Sequence, residues 1–427
     1  MRRIAAIPAL AIAIGAVNAG ASDTGPEYLE QAEIRDPLKS GFHLFRLPFE
    51  DQRQNTLHTR TFYQDRTYDG LPDRQNWAGG GWLNVVGTYF EESVKVAGTV
   101  YTSQKLWADQ DKAETGALQP DHNGYTQLGE IYMSFNLDKV AVQAGRYEVD
   151  LPYINKHDIR MTPQTFQGAQ AVYQPRPGWS IGTGVLTHIK PRTREGFDAL
   201  YERAGLDRNE DVWVGGSLYE VSPGTQMGVF ALHAPDYHNG AYIEFSKRFA
   251  RAEDRYIQVS GQYTWQESTG DELDGDISAR HYGARVTWKR DWYSGSLAWT
   301  DYPEEDRLRS PWGGIPGYTS VLINDFDRPE ETAWLLGGTV ELDSFGARGL
   351  SVNAKAIYGD TPDCGVSGSP DQDEYNLNFN YRPPLPKLAG LLLQLRFGWV
   401  NRDDSCEGDD AVDITEVRFV TNYAFDF

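Results

Sequence analysis

The sequence predicts an all-β fold: a single transmembrane antiparallel β-barrel, with eighteen strands, short periplasmic turns and long extracellular loops. Three observations predict it. Segments of about ten residues alternate apolar and polar side chains with a period of two, as tilted strands crossing a bilayer do. Their apolar rows end in Tyr, Trp and Phe, the composition of interfacial girdles, and aromatics make up 13% of the chain. The mean hydropathy is nevertheless −0.55, because a wide barrel shows one face of every strand to water.

In chain order, residues 1–21 read as a secretory signal peptide. Arg2 and Arg3 give a positive start, Ile4 to Val17 a short apolar stretch, and Ala19-Gly20-Ala21 a small-residue cleavage site. Residues 22–427 contain no linker and read as one barrel domain. Strands are predicted near 56–64, 81–90, 94–103, 126–135, 139–147, 168–174, 178–188, 212–220, 225–233, 241–249, 256–266, 279–289, 292–300, 333–342, 350–359, 373–382, 391–400 and 415–427.

The last strand is the clearest. Val417, Phe419, Tyr423, Phe425 and Phe427 share one parity, and Glu416, Arg418, Asn422 and Asp426 the other. The same division sets Leu391, Leu393, Leu395, Phe397 and Trp399 against Gln394, Arg396 and Gly398. Connections after even-numbered strands are mostly short. After odd-numbered strands they are mostly long: 65–80, 104–125, 148–167, 189–211, 301–332, 360–372 and 401–414. Closing such a sheet satisfies every strand N–H and C=O without an exposed edge. Phe427, in phase with Tyr423 and Phe425, fits the signal read by barrel assembly machinery.

Composition limits the functions. The 61 acidic side chains outnumber the 40 basic ones, giving a net charge of −21. That balance argues against a nucleic-acid partner, which needs concentrated Lys and Arg. Beyond the first twenty residues no apolar run is long enough for a membrane helix. No nucleophile elbow, phosphate-binding loop or His-Glu-x-x-His motif occurs, so neither an enzyme nor a metal or other cofactor is expected. The expected surroundings are outer-membrane lipid and lipopolysaccharide, with small solutes in the lumen and a monomeric or trimeric state. Loop acids such as Asp403, Asp404, Asp409 and Asp410 read as a solvated face rather than a cation site.

Several segments resemble OprD-type porins. The stretch FEDQRQNTLHTRTFYQDRT (Phe49 to Thr67) looks like that family's first strand, and AGRYEVDLPYINKHDIRMTPQTFQG (Ala144 to Gly168) carries its most specific motif. RTREGFDAL (Arg192 to Leu200), FDRPEETAW (Phe326 to Trp334), GLSVNAKAIYGD (Gly349 to Asp360), GLLLQLRFGW (Gly390 to Trp399) and TEVRFVTNY (Thr415 to Tyr423) extend the likeness to the C-terminus. The resemblance implies an 18-stranded, substrate-selective channel for small water-soluble molecules, usually carboxylates, along a lumenal row of Arg and Lys. Positions matching that row are Arg60, Lys355, Arg396 and Arg418; Arg285, Arg382 and Arg402 join them by parity alone. Gln394 stands where the family pattern favours another basic residue.

The loop 148–167 is the expected constriction, with Asp158 and Arg160 expected to pair and hold it. Arg146 is grouped with that constriction, although it falls on the apolar parity of its strand. Cys364 and Cys406 lie in long loops on the same face, and export makes a disulfide between them permissible. A non-selective pore, a barrel enzyme and a structural barrel remain as alternative functions.

Overall fold

The computed structural model describes residues 55–90, 93–252, 254–362, 370–402 and 413–427. The signal peptide, Cys364 and Cys406 lie outside the described residues. Eighteen strands form the barrel wall: β1 (Thr56–Tyr68), β2 (Arg74–Tyr89), β3 (Val94–Ala108), β4 (Tyr125–Leu137), β5 (Val140–Tyr147), β6 (Thr165–Arg176), β7 (Trp179–Lys190), β8 (Val212–Ser222) and β9 (Thr225–Ala234) make one half. β10 (His238–Ala252), β11 (Arg255–Ser268), β12 (Ser278–Arg290), β13 (Tyr293–Asp301), β14 (Thr332–Glu341), β15 (Leu350–Asp360), β16 (Gln372–Tyr381), β17 (Leu391–Arg402) and β18 (Ile414–Asp426) make the other.

Each strand pairs antiparallel with the next. β1 closes the cylinder on β18 from Thr56↔Asp426 to Tyr68↔Ile414. All eighteen predicted strands are present. Side-chain parity follows the sequence pattern: Trp334, Leu336, Tyr358, Tyr375 and Trp399 lie exposed on the outer wall, while Asn376, Asn378, Gln394, Arg396 and Arg418 are buried on the inner one. Among the described residues no helix is long and apolar enough to cross a membrane.

The expected long loop at 65–80 is not there. β2 starts at Arg74, and only residues 69–73 join it to β1. The run Gly79-Gly80-Gly81 has the composition of a turn, yet it lies inside the strand for a packing reason. A Cβ on Gly80 would sit 2.1 Å from the Thr102 carbonyl oxygen, and Gly81 adopts φ +139° with the His58 carbonyl 1.9 Å from its missing Cβ. Close backbone approach demands glycine here, next to the irregular register at Trp77/Ala78.

The lumen is filled by long loops. Loop 3 (148–164), loop 4 (191–211) and loop 7 (302–331) contribute Ile154, Leu200, Tyr201 and Trp312 to an internal apolar cluster against the wall. A soluble barrel hides its core between strands. Here the core lies under the loops.

Candidate solute path and constriction

Loop 3 makes a two-residue hairpin, Asp150–Leu151 against Ile154–Asn155. Tyr153 and His157 take left-handed backbone angles, φ 64° and 41°, conformations that non-glycine residues hold only when the surroundings enforce them. Arg60 on β1 supplies that enforcement at the tip. Its Nη1 donates to Asp158 Oδ1 at 2.5 Å and Nη2 to Oδ2 at 3.0 Å; Nη1 also reaches the Arg160 carbonyl at 2.7 Å, and Nε reaches Asn422 Oδ1 at 2.7 Å. The guanidinium is 2% exposed, so this fork is fully engaged in holding the loop.

The expected Asp158–Arg160 pair is therefore replaced. Asp158 binds Arg60, while Arg160 donates Nε to the Thr115 carbonyl at 2.9 Å and tucks loop 3 against loop 2 (109–124). Chain proximity suggested the pair, but the wall offers a better-aimed fork. Burial alone would raise the Asp158 pKa; the adjacent Arg60 charge and its hydrogen bonds outweigh it and hold the carboxyl below its usual range. An acid depressed below about 3.9 gives its full stabilisation above that value and loses it only as pH falls through the lower native pKa. The loop 3 contribution to single-channel conductance, read as the difference from Asp158→Ala at each pH, is thus expected to stay constant from pH 7 to about 4 and to vanish below that, as the loop tip comes free. A difference already lost near pH 5 would show that another group anchors the tip.

Loop 7 crosses the lumen. Trp312 forms a bridge to Ile154 of loop 3, accepts Gln164 Nε2 at its carbonyl at 2.7 Å, and donates its indole N–H to the Leu200 carbonyl of loop 4 at 2.8 Å. Farther along, the Tyr318 hydroxyl donates to Glu244 on β10 at 2.7 Å. The Arg285 guanidinium of β12 lies 4.2 Å from the Tyr318 ring centroid. Loops 3 and 7 are thereby joined to each other and to opposite arcs of the wall.

The remaining predicted residues divide by depth and partner. Arg396 on β17 stands directly across the strand pair from Arg418 on β18. Two guanidinium groups face to face would repel; Glu416, two residues from Arg418, relieves this by pairing with both Arg418 and Arg66. Gln64 Nε2 also donates to Glu416 at 3.0 Å. Arg396 Nε donates to the neutral Asn378 amide oxygen at 3.1 Å. Lys355 sits on the inner parity of β15, opposite Gly337 and Asn376. Gln394, on the same inner row, donates to Asn380 at 3.0 Å.

Three of the proposed site residues lie away from the constriction. Arg402 ends β17 at the long-loop mouth, its N–H bonded to Asp413 at 3.1 Å. Arg382 follows the end of β16 on the short-turn side, bonded to the Gly349 carbonyl at 2.8 Å. Arg146 belongs neither to the loop nor to the lumen. Its register opposite Ile131, an exposed residue, puts it on the outward parity, where its guanidinium stacks 4.2 Å over Phe197. The motif that includes it suggested the loop, but β5 runs through Tyr147 and carries Arg146 as its penultimate residue. Reasoning from sequence also passed over Glu244, Glu374 and Glu416. All three sit on inner parity within alternating strands, which was the available signal.

Comparisons agree with this architecture. The family model for outer membrane porins of the OprD family matches residues 48–427. Porin D of Pseudomonas aeruginosa is 23% identical over 413 residues, covering 88% of this chain and 90% of the relative. The porin-like protein GalP of Pseudomonas putida is 21% identical over 333 residues, covering 73% and 79%. Among solved structures, OccK9 (OpdG) of Pseudomonas aeruginosa superposes with a TM-score of 0.78 at 18% identity, covering 88% of this chain and 98% of that one. OpdK of the same organism, solved with vanillate, gives 0.77 at 18% identity over the same shares. The match spans nearly the whole barrel, and the chain belongs to the OprD family of outer membrane porins.

Proposed function

We propose that this porin passes small carboxylate-bearing solutes selectively, along Arg396, Lys355 and Arg285 as the working part of the lumenal basic row. The observation that carries the reading is where the strand register puts these residues: Arg285 opposite Ser260, Lys355 opposite Asn376 and Arg396 opposite Asn378, each partner a buried residue of the inner wall. Arg60, Arg66 and Arg418, on the same wall, are bonded to the buried carboxylates of Asp158 and Glu416 and hold structure there. A guanidinium on the inner wall can hold a passing carboxylate by two hydrogen bonds and hand it on. Vanillate, with which the similar barrel OpdK was solved, is an aromatic carboxylate and belongs to the same class of solute.

Passage requires that each site bind weakly, since a deep well would stop flow. Arg396→Ala should therefore reduce carboxylate uptake by about 1–3 kcal/mol of lost charged hydrogen bonding at most, lessened by lumenal water. Liposome swelling with a carboxylate and a neutral sugar of similar size measures this. Reduced carboxylate uptake with unchanged sugar uptake is the expected outcome. Equal loss of both would mean a damaged barrel, and no change in either would favour a general pore.

A further inference from the structure

The tip of loop 7, residues 322–324, is seated by a carboxylate on the wall. Glu374 on β16 is 0% exposed. It accepts the backbone N–H groups of Ile323 and Asn324, each at 2.8 Å, and the Asn376 amide at 2.8 Å. On the neighbouring side Arg418 donates Nη2 to the Leu322 carbonyl at 2.8 Å, and Asn376 Oδ1 takes the Leu322 N–H at 3.3 Å. Gly398, between them on β17, leaves the room this requires: a Cβ there would lie 2.8 Å from Ile323 Cδ1. The wall thus provides a polar socket with a glycine floor for three loop residues.

We propose that Glu374 is a positioning residue of the channel, which sets the pore's cross-section by holding the loop 7 tip in the lumen against β16–β18. A carboxylate receiving two backbone N–H groups forms charge-assisted bonds that a neutral side chain does not replace. Among the described residues Asn376 and Arg418 bond Leu322, whereas Glu374 takes the N–H groups of both Ile323 and Asn324, so two of the three tip residues are hydrogen-bonded to the wall through it. The proposal adds to the reading of the basic row, because the seated tip lies against Arg418, directly across the strand pair from Arg396 of that row.

The test uses the full-length protein in planar bilayers with Cys364→Ser and Cys406→Ser, so that an Ile323→Cys thiol reports the tip. Glu374→Ala should speed labelling of that thiol by a charged reagent about tenfold or more, the loss expected for charged hydrogen bonds. Single-channel conductance in simple salt should rise with it. Glu374→Gln, which retains one acceptor oxygen without the charge, should fall between and serves if the alanine variant assembles poorly. Unchanged labelling and conductance in a variant with intact heat-modifiable mobility would overturn the proposal. Increases in both, in a channel that shows no carboxylate preference with or without Glu374, would support Glu374 as the positioning residue and count against the basic row as the solute path.

Discussion

Glu416→Ala is expected to lower barrel stability by about 3–5 kcal/mol, the cost of leaving buried charge without its partner. The estimate is warranted by burial. Glu416 is 0% exposed, Arg418 2% and Arg66 11%, so water cannot replace the missing carboxylate. The substitution also leaves Arg396 and Arg418 facing each other across β17 and β18 without the acid that offsets them. Thermal unfolding in detergent, followed by heat-modifiable gel mobility, measures the effect. Glu416→Ala combined with Arg418→Ala should recover part of the loss, because it removes one of the stranded charges. A single variant as stable as the parent would mean that lumenal water already solvates this group.

Asp158→Ala is expected to free the tip of loop 3 and enlarge the conducting path. The fork from Arg60 is bidentate and buried. Losing one partner of such a pair costs about 3–5 kcal/mol, on the order of a hundredfold or more in the population of the released tip. Relaxation of the left-handed backbone at His157 acts in the same direction. The rest of the loop should stay, since Asn155 and Gln164 remain bonded to loop 7 at Gly314 and Trp312. Single-channel recording should then show larger and noisier currents in a barrel of unchanged thermal stability. Unaltered current would transfer the anchoring role to Lys190, whose ammonium bonds the Pro163 carbonyl at 3.2 Å.

Alternation was enough to find all eighteen strands and to assign inner and outer faces on β17 and β18. The reason is that the membrane demands it: one face must be apolar against lipid, the other polar against water, and a period of two follows. Boundaries were harder where glycine misled. Gly79–Gly81 reads as a turn until Thr102 and His58 are seen against it. The tight connection at 235–237 on the long-loop side is shorter still than the stretch 234–240 that the predicted strands leave between them.

The candidate site was legible to the level of parity. Arg60, Arg285, Lys355, Arg396 and Arg418 all fall on the inner wall, as alternation and resemblance together implied. Their partners were not legible. Whether Arg60 serves a solute or holds a loop depends on where Asp158 arrives, 98 residues along the chain. Whether Arg418 is available depends on Glu416 beside it and on Leu322, which is 96 residues distant.

By itself, then, the sequence determined the barrel, its strand number, the two faces of its clearly alternating strands and the family. These follow from local rules of period, length and motif that each strand obeys independently. Only the tertiary structure decided which lumenal charges are spent on holding loops 3 and 7. That choice is made by contacts between residues far apart in the chain. Charge pairing in a narrow lumen varies steeply with distance, and nothing in the one-dimensional pattern encodes the distance.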